Sequence, residues 1–111
     1  MYSRIKEDAV EEAFTKAGFV LRKDVGRRHT GMGDKIMYSE NTNTLLVIDN
    51  KSTVNKETIT ISKKQLDKIH SEAKKYDKDA IGVITITFHG SQKKYMILEI
   101  EDDFRRMMYG I

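Results

Sequence analysis

The sequence predicts an α/β domain, a central mixed β-sheet flanked by helices, and three observations predict it. The chain opens on an apolar stripe of helical period. Strand-like runs recur from Phe19, Thr44 and Ala80, the last of them rich in β-branched residues. An amphipathic helix falls between the second and third of these runs, the pattern of an α/β unit. A length of 111 residues suits one domain, 1–111, around one core.

Taken in order, Ser3 to Ala17 reads as a helix whose apolar face is Ile5, Ala9, Ala13 and Ala17, widened by Val10 and Phe14. Gly18 is its expected stop. Phe19-Val20-Leu21 begins a strand running toward Val25, and Gly26 to Gly33 is an irregular basic loop rich in glycine. Lys35 to Ser39 and Thr44 to Ser52 form a hairpin around Glu40-Asn41-Thr42-Asn43. Thr58 to Ile61 is a short extended piece. Ser62 starts a second helix to about Tyr76, burying Leu66, Ile69, Ala73 and Tyr76. Ala80 to Phe88 is a strand covered on both faces, as Ile81-Gly82-Val83-Ile84 requires. Tyr95 to Ile100 is a further strand, and a helix from Asp102 to Tyr109 closes the chain. The order is αβββαβ(β)α.

Composition narrows the class. No apolar run nears the roughly 20 residues that span a bilayer, so no membrane partner is expected. Cysteine is absent, which excludes disulfides and thiolate metal sites and points to a cytoplasmic, intracellular protein; the compact size and lysine-rich, proline-free composition hint at a phage or low-GC source. The formal charge of +3 matters less than its distribution. Arg22, Lys23, Arg27, Arg28 and His29 precede Asp34, and Lys51, Lys56, Lys63 and Lys64 follow Asp49. Basic groups flanking carboxylates fit a polyanionic partner, most simply nucleic acid.

Asp34 stands at the mouth of one strand, and Asp49-Asn50-Lys51 near the end of the next. Strand side chains alternate faces, so Asp49 and Lys51 point one way and Asn50 the other. Mg²⁺ prefers carboxylate, carbonyl and water oxygens. Asp34 and Asp49, helped by the Asn50 backbone carbonyl, are the candidate ligands. Lys51 is placed to orient water or to neutralise charge on a phosphate. Against this stands an ordinary salt bridge between Asp49 and Lys51 at a strand end.

In order and spacing these segments resemble the PD-(D/E)xK nucleases, which share the restriction-endonuclease-like fold. Within them the chain is most similar to archaeal-type and phage Holliday junction resolvases over about residues 4 to 88. The resemblance implies a Mg²⁺-dependent, structure-selective endodeoxyribonuclease, with Mn²⁺ as a substitute, acting as a homodimer on branched or duplex DNA. It assigns Asp34 as the first acid, Asp49 as the second, where those resolvases usually have glutamate, and Lys51 as the lysine. It adds Glu7 from the first helix, which at about 100° per residue falls beside Phe14, with Asp8 and Glu11 further into solvent. Gln65 matches a glutamine near the scissile phosphate, although Ser62-x-x-Gln65 is also a capping box. Arg27, Arg28, His29 and Thr30 resemble a junction-holding segment, and Lys63 and Lys64 are further phosphate contacts. Two alternatives keep the fold: a general or nicking nuclease, and a nucleic-acid-binding domain that does not cleave.

Overall fold

The computed structural model describes the backbone of residues 2–24, 35–53 and 57–110, and the side chains of 9–22, 35–53 and 57–110. Helix α1 spans Tyr2–Lys16, followed by strands β1 (Val20–Asp24), β2 (Lys35–Ser39) and β3 (Thr44–Thr53). Helix α2 (Lys63–Tyr76) then leads to β4 (Ile81–Phe88) and β5 (Lys94–Ile97). A π-helical turn, Ile100–Phe104, runs into α3 (Arg105–Tyr109). The five strands lie side by side in chain order. All neighbours are antiparallel except β3 and β4, which are parallel and joined through α2. The expected αβββαβ order and mixed sheet are therefore present.

Each turn of chain has a local cause. At the end of α1, Gly18 adopts φ 98°, the left-handed conformation that glycine tolerates best. The Phe19 and Gly18 amides then bond the Phe14 and Thr15 carbonyls, and the Phe14 and Phe19 rings meet edge to face at 5.7 Å. This is a glycine helix stop sealed by an apolar contact. In the β2–β3 hairpin Asn43 takes φ 52°, and its Oδ1 accepts a hydrogen bond from the Tyr38 hydroxyl at 2.9 Å. The register slips between Leu21 and Lys23, leaving Arg22 as a bulge on an edge strand, its guanidinium 4.8 Å above the Tyr38 ring.

The sheet carries a core on each face. Val10, Met37, Leu46, Ile48, Ile81 and Val83 fill the α1 side, and Ile36, Val47, Ile69, Ala73, Ala80 and Ile84 fill the α2 side. Alternate residues of the run Leu46-Val47-Ile48 enter opposite cores, which is why this strand is apolar throughout. Gly82 lets α2 approach closely, because a Cβ there would lie 2.5 Å from the Ile69 carbonyl oxygen. No helix among the described residues is long and apolar enough to cross a membrane.

Some expectations need correction. Ala13 and Ala17 are exposed, because α1 seats on the sheet through Val10 and Phe14 and leaves the alanines on its open edge. Glu11 is half-buried and not in solvent, since the buried Lys35 side chain donates to its Oε1 at 3.3 Å. Thr58 to Ile61, expected only as an extended piece, pairs with no strand among the described residues and leads into the α2 cap. Strand β5 ends at Ile97, short of Ile100, and helical structure begins earlier than Asp102. Its cause is Glu99, whose carboxylate accepts from the amides of Glu101, Asp102 and Asp103 at 2.7–2.8 Å. Those bonds, the Asp103 and Asp102 amides foremost, hold the Glu99 carboxyl below the ordinary glutamate range.

Candidate active site

Polarity changes abruptly where β3 leaves the core. Ile48 is buried, whereas Asp49, Asn50 and Lys51 are each half-buried. The pairing of Lys35 with Ile48 starts β2 at that level, and β3 continues beside β4 as far as Thr53 opposite Phe88. Asp49 to Thr53 is thus a strand held on a rigid neighbour, which suits side chains that must be positioned and reachable.

Strand parity places Asp49 and Lys51 on one face, where Lys51 Nζ lies 3.2 Å from Asp49 Oδ2. Asn50 points the other way. Its Oδ1 accepts from the Thr85 hydroxyl at 2.9 Å and the Thr87 hydroxyl at 3.3 Å, so two alternate β4 residues clamp β3 in register. Nothing in the Asp-Asn-Lys triplet foretold this clamp; its signal is the Thr-Ile-Thr alternation on the strand that pairs beside it. The Asp49 and Lys51 side chains are 29% and 33% exposed, and a pair so accessible contributes at most about 1 kcal/mol to folding. The strand end thus presents a carboxylate and an ammonium that are held together and open to solvent.

Helix α2 brings Gln65 to the same level. Ile69 stands over Gly82, and Lys74 Nζ donates to the Ala80 carbonyl at 2.7 Å, so α2 runs antiparallel to β4. Four residues back along the helix and two residues on along the strand each amount to about 6 Å. Gln65 and Ile84 consequently lie at one height, and Ile84 pairs with Asp49. The capping box is present: Gln65 Oε1 accepts from the Ser62 amide at 2.8 Å, and Ser62 Oγ from the Gln65 amide at 3.2 Å. The cap uses the side-chain oxygen of Gln65 and leaves Nε2 as the atom available to a ligand. Lys63 pairs with Asp67 at 2.7 Å, and Lys64 is exposed beside it.

Asp34, Arg27, Arg28, His29 and Thr30 lie outside the described residues. Glu7 lies in α1, one turn before Glu11, with its side chain outside the described set. Among the described residues, no three histidine or acidic side chains come together as a metal-holding group. Asp49 itself fits a hard cation, being an accessible carboxylate with one ammonium neighbour. Away from this site, a cleft of about 390 Å³ lies between α2 and the C-terminal segment, lined by His70, Lys74, Asp103 and Arg106. There the buried Asp103 carboxylate lies 3.4 Å from both His70 Nδ1 and Lys74 Nζ, and Arg106 bonds Asp79 at 2.9 Å. These contacts dock the C-terminal segment on α2.

A five-stranded mixed sheet with one parallel pair and helices on both faces defines an α/β fold, with an acid and a lysine at the exit of its central strand. The architecture matches a solved structure, that of Hjc from Archaeoglobus fulgidus, a Holliday junction resolvase from an archaeal hyperthermophile. The TM-score is 0.59 at 18% identity, over 90% of this chain and 80% of that one. No protein-family model matches the chain, and no curated protein matches it.

Proposed function

We propose that this protein is a Mg²⁺-dependent, structure-selective DNA endonuclease of the Holliday junction resolvase type, hydrolysing phosphodiester bonds near branch points. The observation that carries the reading is the Asp49–Lys51 pair, 3.2 Å apart on one face of a strand that leaves the core. The shared fold of the A. fulgidus resolvase supports it. Asp34, Asp49, Glu7 and the backbone carbonyl of Asn50 would hold Mg²⁺, with Mn²⁺ as a substitute. The cation, when bound, supplies a polarised phosphodiester and a more acidic water.

The chain's own residues do the rest. Asp49 presents its carboxylate at the strand exit, and Lys51 beside it neutralises negative charge gathering on the phosphate. Gln65, at the same height, offers its amide N–H to a phosphate oxygen while its oxygen caps α2. Arg27, Arg28, His29, Thr30, Lys63 and Lys64 supply phosphate contacts, which position DNA without reading bases. Two matched cuts favour a two-fold homodimer, and the exposed apolar residues Ile100, Phe104, Met108 and Tyr109 offer a surface for one.

The test is a cleavage panel of a synthetic four-way junction and a linear duplex of the same arms, with Mg²⁺ or with EDTA. Junction cutting that needs Mg²⁺ and leaves the duplex intact is the expected result. Equal cutting of both substrates indicates a general nuclease. Binding without cutting indicates a nucleic-acid-binding domain.

A further inference from the structure

The face that carries Asp49 and Lys51 has a second feature. Lys51 pairs with Ile86 and Ile86 with Tyr95, so the three form one row across β3, β4 and β5. Residues directly opposed on neighbouring strands share a face, and strand spacing puts Tyr95 about 10 Å from Lys51 along the row. Ile86 between them is 9% exposed and makes an apolar floor. Tyr95 meets Phe88 edge to face, ring centroids 6.3 Å apart, yet remains 53% exposed. Ile97, next on that face of β5, leads into a cleft of about 450 Å³ whose walls include Lys63 and Leu66 of α2.

Charge distinguishes this shelf from the exposed apolar surface of the C-terminal segment. Ile100, Phe104 and Met108 stand among Glu99, Glu101 and Asp102, which repel a polyanion. The shelf instead adjoins the β4–β5 turn, which carries His89 and Lys93. The His89 amide donates to the Thr53 carbonyl at 3.0 Å, so this turn sits at the same end of the sheet as Lys51.

We propose that the Phe88–Tyr95 shelf stacks an unpaired base of the DNA beside the phosphate held at Lys51, with Lys93 on the adjoining turn contacting the strand's backbone. The inference rests on the nuclease reading and deepens it, because it names what selects the substrate. Every base has a π-face, so an aromatic shelf among cations holds unstacked nucleotides without regard to sequence. A base inside an intact duplex is already stacked, whereas a branch point supplies bases that are free to turn out. The shelf therefore reads DNA structure.

Anisotropy binding in EDTA tests this, using the four-way junction and the linear duplex at one salt concentration, with wild type, Tyr95→Ala and Tyr95→Phe. Tyr95→Ala is expected to lose at least about fivefold in junction affinity, the lower bound of about 1 kcal/mol for one stacked base. Duplex affinity should change less than about twofold, and Tyr95→Phe should restore junction binding. A 2-aminopurine at the branch should be quenched by wild type and by Tyr95→Phe but not by Tyr95→Ala. Junction binding by Tyr95→Ala equal to wild type overturns the shelf and leaves the nuclease reading standing. So does an equal loss on both substrates, or a smaller sedimenting species for Tyr95→Ala, which makes the shelf a contact between copies. Failure of wild type to bind either DNA removes both readings.

Discussion

Replacing Gly82 with alanine tests how α2 is held over the sheet and what that does to the site. The added methyl carbon would lie 2.5 Å from the Ile69 carbonyl oxygen and 2.8 Å from its carbon. Ordinary contact begins near 3.4 Å, so α2 must lift by about 0.9 Å, the difference between 3.4 and 2.5 Å. The obstacle is helix backbone, which cannot swing aside as a side-chain tip can. Lifting by this amount weakens the packing of Ile69 and Ala73 against Val47, Ala80 and Ile84. A gap of 0.5–1 Å forfeits about a quarter to a half of each dispersion contact. Overpacking of this kind costs about 1–3 kcal/mol, and the centre of that range lowers the melting temperature of a domain this size by roughly 8–10 °C. Urea and thermal unfolding followed by circular dichroism measure it. The same lift displaces Gln65 relative to Asp49, so junction cleavage by the folded variant should fall about tenfold or more. Unfolding free energy within about 0.5 kcal/mol of wild type would refute the close-approach argument.

Other expectations follow from the same geometry. Ser62→Ala removes one arm of the capping box and should cost about 1 kcal/mol by urea unfolding. Gln65→Ala should cost a similar amount and, unlike Ser62→Ala, also slow cleavage per bound substrate; equal kinetics for the two variants would make Gln65 a cap alone. Asp103→Ala leaves Lys74 and His70 without their buried partner and should destabilise by about 2 kcal/mol in thermal unfolding, since both partners are partly solvated. Glu99 has a depressed folded pKa, so its contribution is fully present above the ordinary glutamate pKa and is lost as pH falls through the lower folded value. Amide exchange of Glu101, Asp102 and Asp103 should rise in that acid window, and Glu99→Gln should flatten the pH dependence.

The parts of this structure that follow from period and parity were legible in the sequence. Val10 and Phe14, Ile69 and Ala73, and the alternation through Leu46, Val47 and Ile48 all declare which face is buried. Asp49 and Lys51 could be paired on paper, because a strand alternates with a period of 2. What escaped depends on contacts distant in sequence. Glu11 reads as a surface acid until Lys35, 24 residues later, is placed beneath it. Asn50 reads as a spacer until Thr85 and Thr87, 35 and 37 residues away, close on its oxygen. Ala13 and Ala17 fit the apolar stripe, yet small side chains at a helix edge do not decide where the helix seats; Val10 and Phe14 do. Glu99 has the sequence of a strand end, and only its carboxylate on three successive amides turns the chain into a helix there.

A nuclease centre at the exit of β3 makes single-turnover junction cleavage in Mg²⁺ depend on the two side chains held there. Asp49→Asn and Lys51→Ala should each cut at least about a hundredfold more slowly than wild type, the scale on which removing one charge-stabilising group acts. Folding should remain close to wild type, because both side chains are partly exposed and contribute little to the core, and rates measured at saturating enzyme separate the cleavage step from any loss of the Lys51 phosphate contact. Cleavage by either variant within about threefold of wild type would place the chemistry elsewhere on the molecule.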